Sequence, residues 1–543
     1  MQQPQSARER EEAILAFWKQ ERVFERSVEE RPKNNPYVFY DGPPFATGTP
    51  HYGHIVASTI KDVVPRYFTM RGKRIERVWG WDCHGLPIEN IVEKDFELGS
   101  KANIEAFGVE KFNASCRSRV LEYADEWEKV IHRLGRWVDM EHAYRTMDPA
   151  FMESVWWGFK QLYDKGAVYE GFRPIHICPR CATVLSQSEV GQGYKDVTDP
   201  SLVVRFRLRD EKDTFVLVWT TTPWTLPGNM LLAIAPNERY LKVKQRNEQL
   251  IVAKSRAQAV LDGAYEVVGE LSSSELAGKM YEPLFSYFAD RKGAFRVVEG
   301  AFVSMEEGTG IVHIAPGFGE DDFALGQREG LEIIRHIYID GTMADEVTDF
   351  AGQQAKESDE DIVEWLTGRG MIYSASKIRH SYPHCWRCDT PLLNYATTSW
   401  FIKVAEIRDE LLKLNQDIHW VPEYMKHGRF ENWLEGVRDW SVSRSRYWGT
   451  PLPIWRAEDG DVIVVGSVAQ LKELSGVEAK DIHKHVVDAI EIQRDGKTFR
   501  RVPEVFDCWI ESGSMPFAQV HYPFENRDEF EKGFPAEFIA EGV

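Results

Sequence analysis

At 543 residues and 62.6 kDa the chain is too long for one compact core, so two to four domains are expected. A hydrophobic content of 43% with 28% charged residues argues against disorder, and the apolar runs are too short to span a membrane. The net charge of −19 argues against a nucleic-acid partner only weakly, because such binding depends on local basic patches. The chain has seven cysteines and shows no export signal, which predicts reduced thiols or metal ligands in a cytoplasmic protein.

Helices and strands are predicted to alternate over the first part of the chain. Residues 7–29 follow an amphipathic helical pattern, and Tyr37–Tyr40 forms a short strand before a turn-prone loop from Ala46 to Pro50. A helix from His54 towards Met70 and a strand at Arg74–Val78 follow. This order of strand, loop, helix and strand opens a βαβ unit and predicts a parallel sheet.

The middle of the chain has a different character. Residues 104–165 have a helical pattern, but between about Ser201 and Ser381 short apolar segments alternate with turns and predict a β-rich block. A mixture of helix and strand returns at Asn394. The predicted strands of the β-rich block include Leu202–Phe206, Phe215–Trp219, Leu232–Ile234, Tyr240–Val243, Leu250–Ala253 and Phe295–Val298.

Two C-x₂-C pairs flank the β-rich block, and they supply the four thiolates of a tetrahedral structural zinc site. The pairs are Cys178 with Cys181 and Cys385 with Cys388, and they lie much farther apart than in a simple zinc ribbon. If they share one Zn²⁺, the chain between them must leave the core and return to the same point, as an inserted domain does. The alternative is two unrelated pairs of reduced thiols in loops.

A histidine pair lies at the turn into the helix predicted from residue 54. His51 and His54 are spaced to face the same way on a first helical turn, where free N–H groups and the helix dipole favour phosphate. Gly53 between them lacks a Cβ, so a flat ligand can lie on the backbone. The motif is short, and two loop histidines are often structural or simply solvated.

The surrounding segments resemble the class I aminoacyl-tRNA synthetases. They are Asp41-Gly-Pro-Pro-Phe-Ala-Thr-Gly-Thr-Pro-His-Tyr-Gly-His54 and Gly80-Trp-Asp-Cys-His-Gly-Leu-Pro-Ile-Glu89. Three further segments are similar to the isoleucyl enzymes, whose layout the valyl and leucyl enzymes share: Trp219–Asn229, Tyr382–Cys388 and Trp440–Trp455.

The resemblance implies an α/β fold. A class I Rossmann-type parallel-sheet catalytic domain, here incomplete, would be interrupted by an inserted β-rich editing domain with a zinc knuckle at the junction. The implied boundaries are 1–175 for the N-terminal helix and first half of the catalytic domain, 176–195 and 381–393 for the knuckles, 196–380 for the editing domain, and 394–543 for the truncated second part of the catalytic domain.

The resemblance also implies roles for residues of the catalytic domain. His51 and His54 would be catalytic and bind the ATP phosphates, with Gly53 under the adenine. The amino acid and its adenylate would be bound by Gly42, Pro43, Asp82, Trp509 and Glu541, with Asp82 on the α-ammonium group and Trp509 as an apolar wall. The family often has Asp-Ser-Gly where this chain has Glu511-Ser-Gly513.

A second, hydrolytic site is implied within the β-rich block. One methylene group discriminates by only ~1–3 kcal/mol, a range already known for enzymes that select isoleucine over valine, so a second sieve is needed. Asp322 would hold the ammonium group of a misattached residue, or it merely caps the helix after Gly319. The implied editing residues are Thr220, Thr221, Thr222, Trp224, Thr225, His313 and Asp322.

The implied function is that of an isoleucine–tRNA ligase that also removes valine. It would use L-isoleucine, ATP with Mg²⁺ and tRNA(Ile), hold a structural Zn²⁺, and act as a cytoplasmic monomer at full length, away from membranes. The sequence contains no Lys-Met-Ser-Lys-Ser loop, so we expect a truncated chain that is inactive in aminoacylation by itself. The alternatives are a hydrolase that edits mischarged tRNA in trans and a zinc-stabilised binding module.

Overall fold

The computed structural model describes residues 6–45 and 47–541, which form two compact units. The described residues within 1–169 and 400–543 form a discontinuous unit, and residues 170–399 form a central unit. Ala46, at which the predicted turn-prone loop begins, lies outside the described residues. The finer predicted division of residues 170–399 into two knuckles and an editing domain stays a prediction.

The discontinuous unit is built on parallel strands. Phe39–Tyr40 pairs parallel with Phe538–Ile539 on one side. On the other side, parallel bridges join Pro36 to Arg74 and Phe45 to Asp82, and Val78–Trp81 pairs parallel with Asp139–Arg145. The first strand therefore lies between the second and the last, as in a doubly wound Rossmann fold, and the predicted parallel sheet is present.

Three predicted elements of this unit are wrong. The strand expected at Arg74–Val78 lies at Val78–Trp81, and Arg74 forms only an isolated bridge to Pro36. The helix expected over residues 7–29 is divided into Ala7–Gln20 and Val23–Glu29, because Arg22 between them has a left-handed φ of 50°. The helical region expected over residues 104–165 contains the strand Asp139–Arg145, whose pairing with Val78–Trp81 overrides its local pattern.

The buried residues of the discontinuous unit include the tryptophans Trp127, Trp156, Trp448 and Trp455. The remaining helices are Tyr52–Met70, Leu86–Asp95, Lys101–Phe107, Val109–Arg119, Ala124–Leu134, Pro149–Asp164, Arg408–Asn415, Glu431–Glu435, Val468–Ser475, Lys484–Val487, Cys508–Gly513, Met515–Ala518 and Arg527–Gly533, with short turns of other helix types at Val404–Ile407 and Lys426–Phe430. The smaller strands are Trp440–Ser441, Ser443–Arg444, Ile454–Arg456, Val462–Val464, Ile492–Arg494, Lys497–Arg501 and Val505–Phe506.

The central unit is β-rich, as predicted, and its main sheet has nine strands. The order is Glu266–Ser272, Arg239–Gln245, Glu248–Ala253, Thr214–Thr220, Ile311–Ile314, Leu231–Ile234 and Arg296–Glu299, with Tyr194–Arg207 beside Thr214–Thr220 and Ile372–Pro383 beside Tyr194–Arg207. Thr183–Val184 lies outside this sheet, and the chain enters and leaves the unit within the strands Val168–Cys178 and Leu393–Ile402. The helices are Gln187–Gly191, Pro223–Gly228 (a 3₁₀ helix), Ala257–Val260, Ser273–Leu276, Glu320–Arg328 and Asp359–Gly368.

The sheet of the central unit surrounds its own apolar core. Leu231–Ile234 is buried along its whole length, which explains a run of apolar residues without alternation. No helix in the described part of the chain has the length and apolar character needed to cross a bilayer.

Candidate active site and metal centre

The segments that follow the parallel strands Phe39–Tyr40 and Phe538–Ile539 meet at the Glu541 carboxylate. The Gly42 N–H donates to Glu541 Oε1 at 3.1 Å, and a Cβ on Gly42 would lie only 2.6 Å from that oxygen. Lys61 Nζ is 2.8 Å from the same oxygen and 2.8 Å from Asp41 Oδ1. Ligands of doubly wound sheets bind at this point, where the strand order reverses. The structure therefore brings Gly42 and Glu541 together there.

Lys61 was not identified from the sequence, although it is two helical turns after His54. Its side chain is buried, and it neutralises Asp41, which also forms an ion pair with Arg136. Burial acts to lower the pKa of Lys61, but the carboxylates of Asp41 and Glu541 outweigh it and raise that pKa. A permanent cation thus lies beside the proposed adenylate-binding carboxylate.

The two histidines lie at the N-terminus of Tyr52–Met70, which we call the histidine helix. Both were expected on its first turn, but only His54 is inside the helix. His51 has extended backbone and is the N-cap: its Nδ1 accepts from Gly53 N–H at 3.1 Å, and its own N–H donates to His54 Nδ1 at 3.2 Å. The rings stack with centroids 3.6 Å apart. Burial, then His51 and Lys61, lower the pKa of His54, so this ring is neutral at pH 7.

Asp82 follows the strand Val78–Trp81 and is 1% exposed. Thr146 Oγ1 donates to its Oδ1 at 3.4 Å, while its buried Oδ2 has no hydrogen-bond partner among residues 6–45 and 47–541. Burial and the nearby Glu511 carboxylate raise the pKa of Asp82 well above its ordinary value. A buried carboxylate oxygen without a donor is suited to an incoming cation, because an unsatisfied buried acceptor is costly.

Phe45 connects the remaining predicted pocket residues. Its backbone is bridged to Asp82, and the Trp509 ring meets the Phe45 ring edge-on at 6.2 Å. Trp509 is the second residue of the short helix Cys508–Gly513, and its N–H donates to the capping Asp507 Oδ1 at 3.1 Å. Pro43 is half-buried on the segment that leads to Phe45. Phe45 and Trp509 thus bring two aromatic rings into contact, and the Phe45 backbone lies beside the buried Asp82.

The predicted threonines of the central unit form a chain of hydroxyl groups that ends on a histidine. Thr225 Oγ1 donates to Thr222 O at 2.7 Å and lies 3.0 Å from His313 Nε2. Since the hydroxyl proton of Thr225 is already used, His313 must donate Nε2–H to it. His313 Nδ1 is then a bare, buried acceptor, and it has no partner within the described ranges.

Burial, then His336, lower the pKa of His313 to about 4, so its ring is neutral at pH 7. Thr220 lies at the other end of the chain, with its Oγ1 3.4 Å from Thr222 Oγ1, while Thr221 is half-buried and next to them. Trp224 is 2% exposed and packs against Phe318 with ring centroids 5.3 Å apart, so it supports the threonines from the core.

Asp322 lies in the first turn of Glu320–Arg328 and is half-buried. Its Oδ2 accepts from Ala315 N–H at 2.8 Å, which ties the helix to the end of the strand Ile311–Ile314. The N-cap residue of this helix is Gly319, which has no side chain, and both roles of Asp322, as an ammonium-binding group and as a helix cap, stay predictions. Burial raises the pKa of Asp322 to about 7.

The four predicted cysteines of the central unit form one cluster. Their sulfur atoms all lie within 4.8 Å of one another, and Cys388 Sγ is 3.4 Å from Cys178 Sγ and 3.6 Å from Cys181 Sγ. Four thiolates around Zn²⁺ at about 2.3 Å would lie ~3.8 Å apart, so a small expansion of this cluster accommodates the ion. A tetrahedral thiolate site of this kind is compatible with structural zinc.

Known proteins are similar to this chain over most of its length. The family model for class I tRNA synthetases (I, L, M and V) matches residues 13–543. The isoleucine–tRNA ligase of Protochlamydia amoebophila is 50% identical over 541 residues, and that of Treponema denticola is 49% identical over 573 residues. Each match covers 98% of this chain and 52% of the relative, so the chain spans about half the length of the curated relatives it matches.

Among solved structures, the ternary complex of Agrobacterium radiobacter K84 agnB2 LeuRS with tRNA and LeuAMS matches 94% of this chain and 59% of that chain. The identity is 17% and the TM-score is 0.38. The family match extends over both units and over every residue of the candidate sites. The chain therefore belongs to the class I tRNA synthetases of the isoleucine, leucine, methionine and valine group.

Proposed function

We propose that this chain carries the amino-acid-activating site and a proofreading site of an isoleucine–tRNA ligase. The observation that carries the first part is the buried Asp82 oxygen without a donor, beside the apolar wall of Trp509 and Phe45. The relatives that are 50% and 49% identical in sequence are named isoleucine–tRNA ligases, which supports isoleucine as the amino acid.

In the proposed reaction, a carboxylate oxygen of isoleucine attacks the α-phosphorus of ATP. The bond between the α- and β-phosphates breaks, and pyrophosphate leaves with the electron pair. Asp82 holds the α-ammonium group, and the N–H groups at the start of the histidine helix face the phosphates, which enter as the Mg²⁺ complex. Glu541 and Gly42 bind the adenylate, from which the isoleucyl group passes to tRNA(Ile) in the complete protein.

The central unit is proposed to hydrolyse valyl-tRNA(Ile). The specific support is the hydroxyl chain that ends on neutral His313, together with a half-buried carboxylate at Asp322. The hydroxyl groups and His313 would orient a water molecule on the ester, while Asp322 holds the ammonium group of valine. A second proposed component is structural. One Zn²⁺ would be held by Cys178, Cys181, Cys385 and Cys388, and it would close the base of the unit, where the chain enters and leaves it.

The role of Asp82 is tested with two non-hydrolysable adenylate analogues, one with isoleucine and one in which the α-amino group is replaced by hydrogen. We expect Asp82→Asn to weaken binding of the first about 10- to 100-fold, because a charge-assisted hydrogen bond contributes ~1.5–3 kcal/mol. Binding of the second analogue should be unchanged. Calorimetric titration of the whole chain measures both dissociation constants.

Asp488→Asn serves as the control, because Asp488 pairs with Lys484 and Arg501 instead. Equal losses for both analogues in Asp82→Asn would show that the substitution only disturbs the fold. Unchanged affinity for both would reject the proposed contact.

A further inference from the structure

A chain of four side chains crosses the interior of the discontinuous unit. His84 Nδ1 lies 2.5 Å from Glu511 Oε2, and both side chains are 0% exposed. His84 Nε2 lies 2.9 Å from His483 Nε2, and His483 Nδ1 bonds to Asp481 Oδ1. The chain therefore runs carboxylate, imidazole, imidazole, carboxylate, and neither the predicted pocket nor the metal site uses it.

The four hydrogen-bonded side chains require a defined number of protons. Each of their three hydrogen bonds needs one proton. Without any protons, the two carboxylates and two imidazole rings would carry a total charge of −4, so three protons leave a total charge of −1. Arg117 Nη2 lies 2.7 Å from Asp481 Oδ2 and balances that charge at the outer end. Burial holds the pKa of His483 at about 4, so this ring stays neutral, donates to Asp481 and accepts from His84.

Both ends of the His84–Glu511 bond are locked by their surroundings. Thr450 N–H donates to Glu511 Oε1 at 2.8 Å, and the Trp448 ring meets the His84 ring edge-on with centroids 4.9 Å apart. Because His84, His483 and Glu511 are buried and hydrogen-bonded, the His84–Glu511 bond holds its two backbone segments at a fixed separation.

Those two segments carry the proposed amino-acid contacts. His84 comes two residues after Asp82, and Glu511 comes two residues after Trp509, while 427 residues separate His84 from Glu511. Among the described residues, this bond directly joins the segment that holds the ammonium group to the segment that forms the side-chain wall. The side chain of Glu511, one methylene longer than that of Asp, spans the gap.

We propose that the His84–Glu511 bond, backed by His483 and Asp481, sets the distance between Asp82 and Trp509 and thereby the length of amino-acid side chain that the pocket accepts. This inference rests on the proposed function and adds positioning residues to it. Neither histidine touches the substrate; both act through the groups they hold.

Variants at Glu511 separate geometry from charge. In Glu511→Gln the amide N–H can donate to His84 Nδ1, His84 Nε2–H can donate to His483, and the amide oxygen still accepts from Thr450. All bonds survive and the total charge stays at −1. In Glu511→Asp the carboxylate is retained but withdrawn by one methylene group, so the bond to His84 opens.

The experiment measures dissociation constants of the isoleucyl and valyl adenylate analogues with the whole chain. We expect Glu511→Gln to keep both affinities within about twofold. Glu511→Asp should weaken the isoleucyl analogue by about tenfold and bring the ratio of the two affinities towards one, because the wall no longer stands at the right distance. A change that followed charge, with Gln impaired and Asp intact, would overturn the proposal.

His521→Gln is the matched control, because His521 and Glu153 form another shielded imidazole–carboxylate bond of 3.0 Å. It should lower the melting temperature without changing the affinity ratio. If Glu511→Asp does not fold, His483→Gln tests the same His84–Glu511 bond, here called the clamp. It should move the ratio of the isoleucyl and valyl affinities in the same direction by a smaller factor. An unchanged ratio in the folded variant would reject the clamp, whereas failure of the unsubstituted chain to bind either analogue would reject the proposed function itself.

Discussion

Asp82 and Asp322 are both carboxylates withdrawn from solvent, but their surroundings give them different behaviour. Asp82 lies near other acids and keeps one oxygen without a donor. Asp322 lies at a helix N-terminus and is tied to Ala315. Each would become fully ionised when an ammonium group binds, because a neighbouring cation lowers the pKa of a carboxyl. The charge of the ligand therefore completes each site.

For Asp322 we expect substitution by alanine to reduce hydrolysis of valyl-tRNA(Ile) about 10- to 100-fold, from the loss of a charge-assisted bond of ~1.5–3 kcal/mol. Thr221→Ala and Thr222→Ala should have smaller effects, because neighbouring hydroxyl groups remain. A deacylation assay at high protein concentration, with the unsubstituted chain as reference, measures the loss. Full hydrolysis by a less stable Asp322→Ala protein would reject the editing role.

The raised pKa of Asp322, about 7, also predicts how stability depends on pH. A carboxyl whose pKa is higher in the folded than in the unfolded chain stabilises the fold at pH values below the unfolded pKa of ~3.9. That contribution is lost as the pH rises through about 7. Asp322→Asn should therefore melt a few degrees higher than the unsubstituted chain at pH 8, with little difference at pH 4. Thermal scans at both pH values test this, and a lower melting temperature at pH 8 would contradict it.

At the residue scale the roles of the predicted site residues stay predictions, but the structure shows how their side chains are arranged. His51 and His54 were expected on one helical turn, but the extended backbone of His51 makes it the cap, so the rings stack. The Lys61–Glu541 pair and the His84–Glu511 bond were missed, because the partners lie 480 and 427 residues apart in the chain. Only tertiary structure reveals such pairs.

Among the elements, the histidine helix and the two strand ends beside it determine the shape of the proposed adenylate site. Glu541 fits against the backbone of Gly42, where no side chain can be accommodated. Helix and strand existence followed from local pattern, but the strand Asp139–Arg145 did not. Its sequence has no strong apolar alternation, and it is a strand because Val78–Trp81 pairs with it.

We expect Gly42→Ala to displace the Glu541 side chain from Lys61, since the new Cβ would lie 2.6 Å from Glu541 Oε1. Affinity for the isoleucyl-adenylate analogue should fall about tenfold, which corresponds to ~1.4 kcal/mol. Gly48→Ala is the matched control in the same segment, because a Cβ there meets no described atom within 4 Å. Similar affinities for the two variants would show that the contact does not shape the site.

At the scale of the whole molecule, the predicted insertion rested on the spacing of four cysteines, and the structure gathers their sulfurs. The pairing of Phe39–Tyr40 with Phe538–Ile539 could not be predicted in the same way. No local chemical signal marks two short apolar strands as partners, whereas a thiolate pair indicates that it needs a second pair.

Zinc analysis of the purified chain should give one ion per molecule, and Cys388→Ser should abolish binding. Removing the ion with a chelator should lower the melting temperature of the central unit by roughly 10 °C, because metal binding contributes several kcal/mol to folding. Cys116→Ala, in the discontinuous unit, should retain the ion. A full complement of zinc in Cys388→Ser, or none in the unsubstituted chain, would contradict the shared site.

The cysteine cluster also has a consequence for the order of events during synthesis of the chain. Cys181 and Cys388 are 207 residues apart, and ribosomes add ~5–20 residues per second. The first thiol pair therefore waits roughly 10–40 s before the second pair emerges. During that interval the nine-stranded sheet is made almost completely while its base is still open. If one Zn²⁺ binds all four thiols, as proposed, the ion can join the two pairs only after the strands of the sheet have been made.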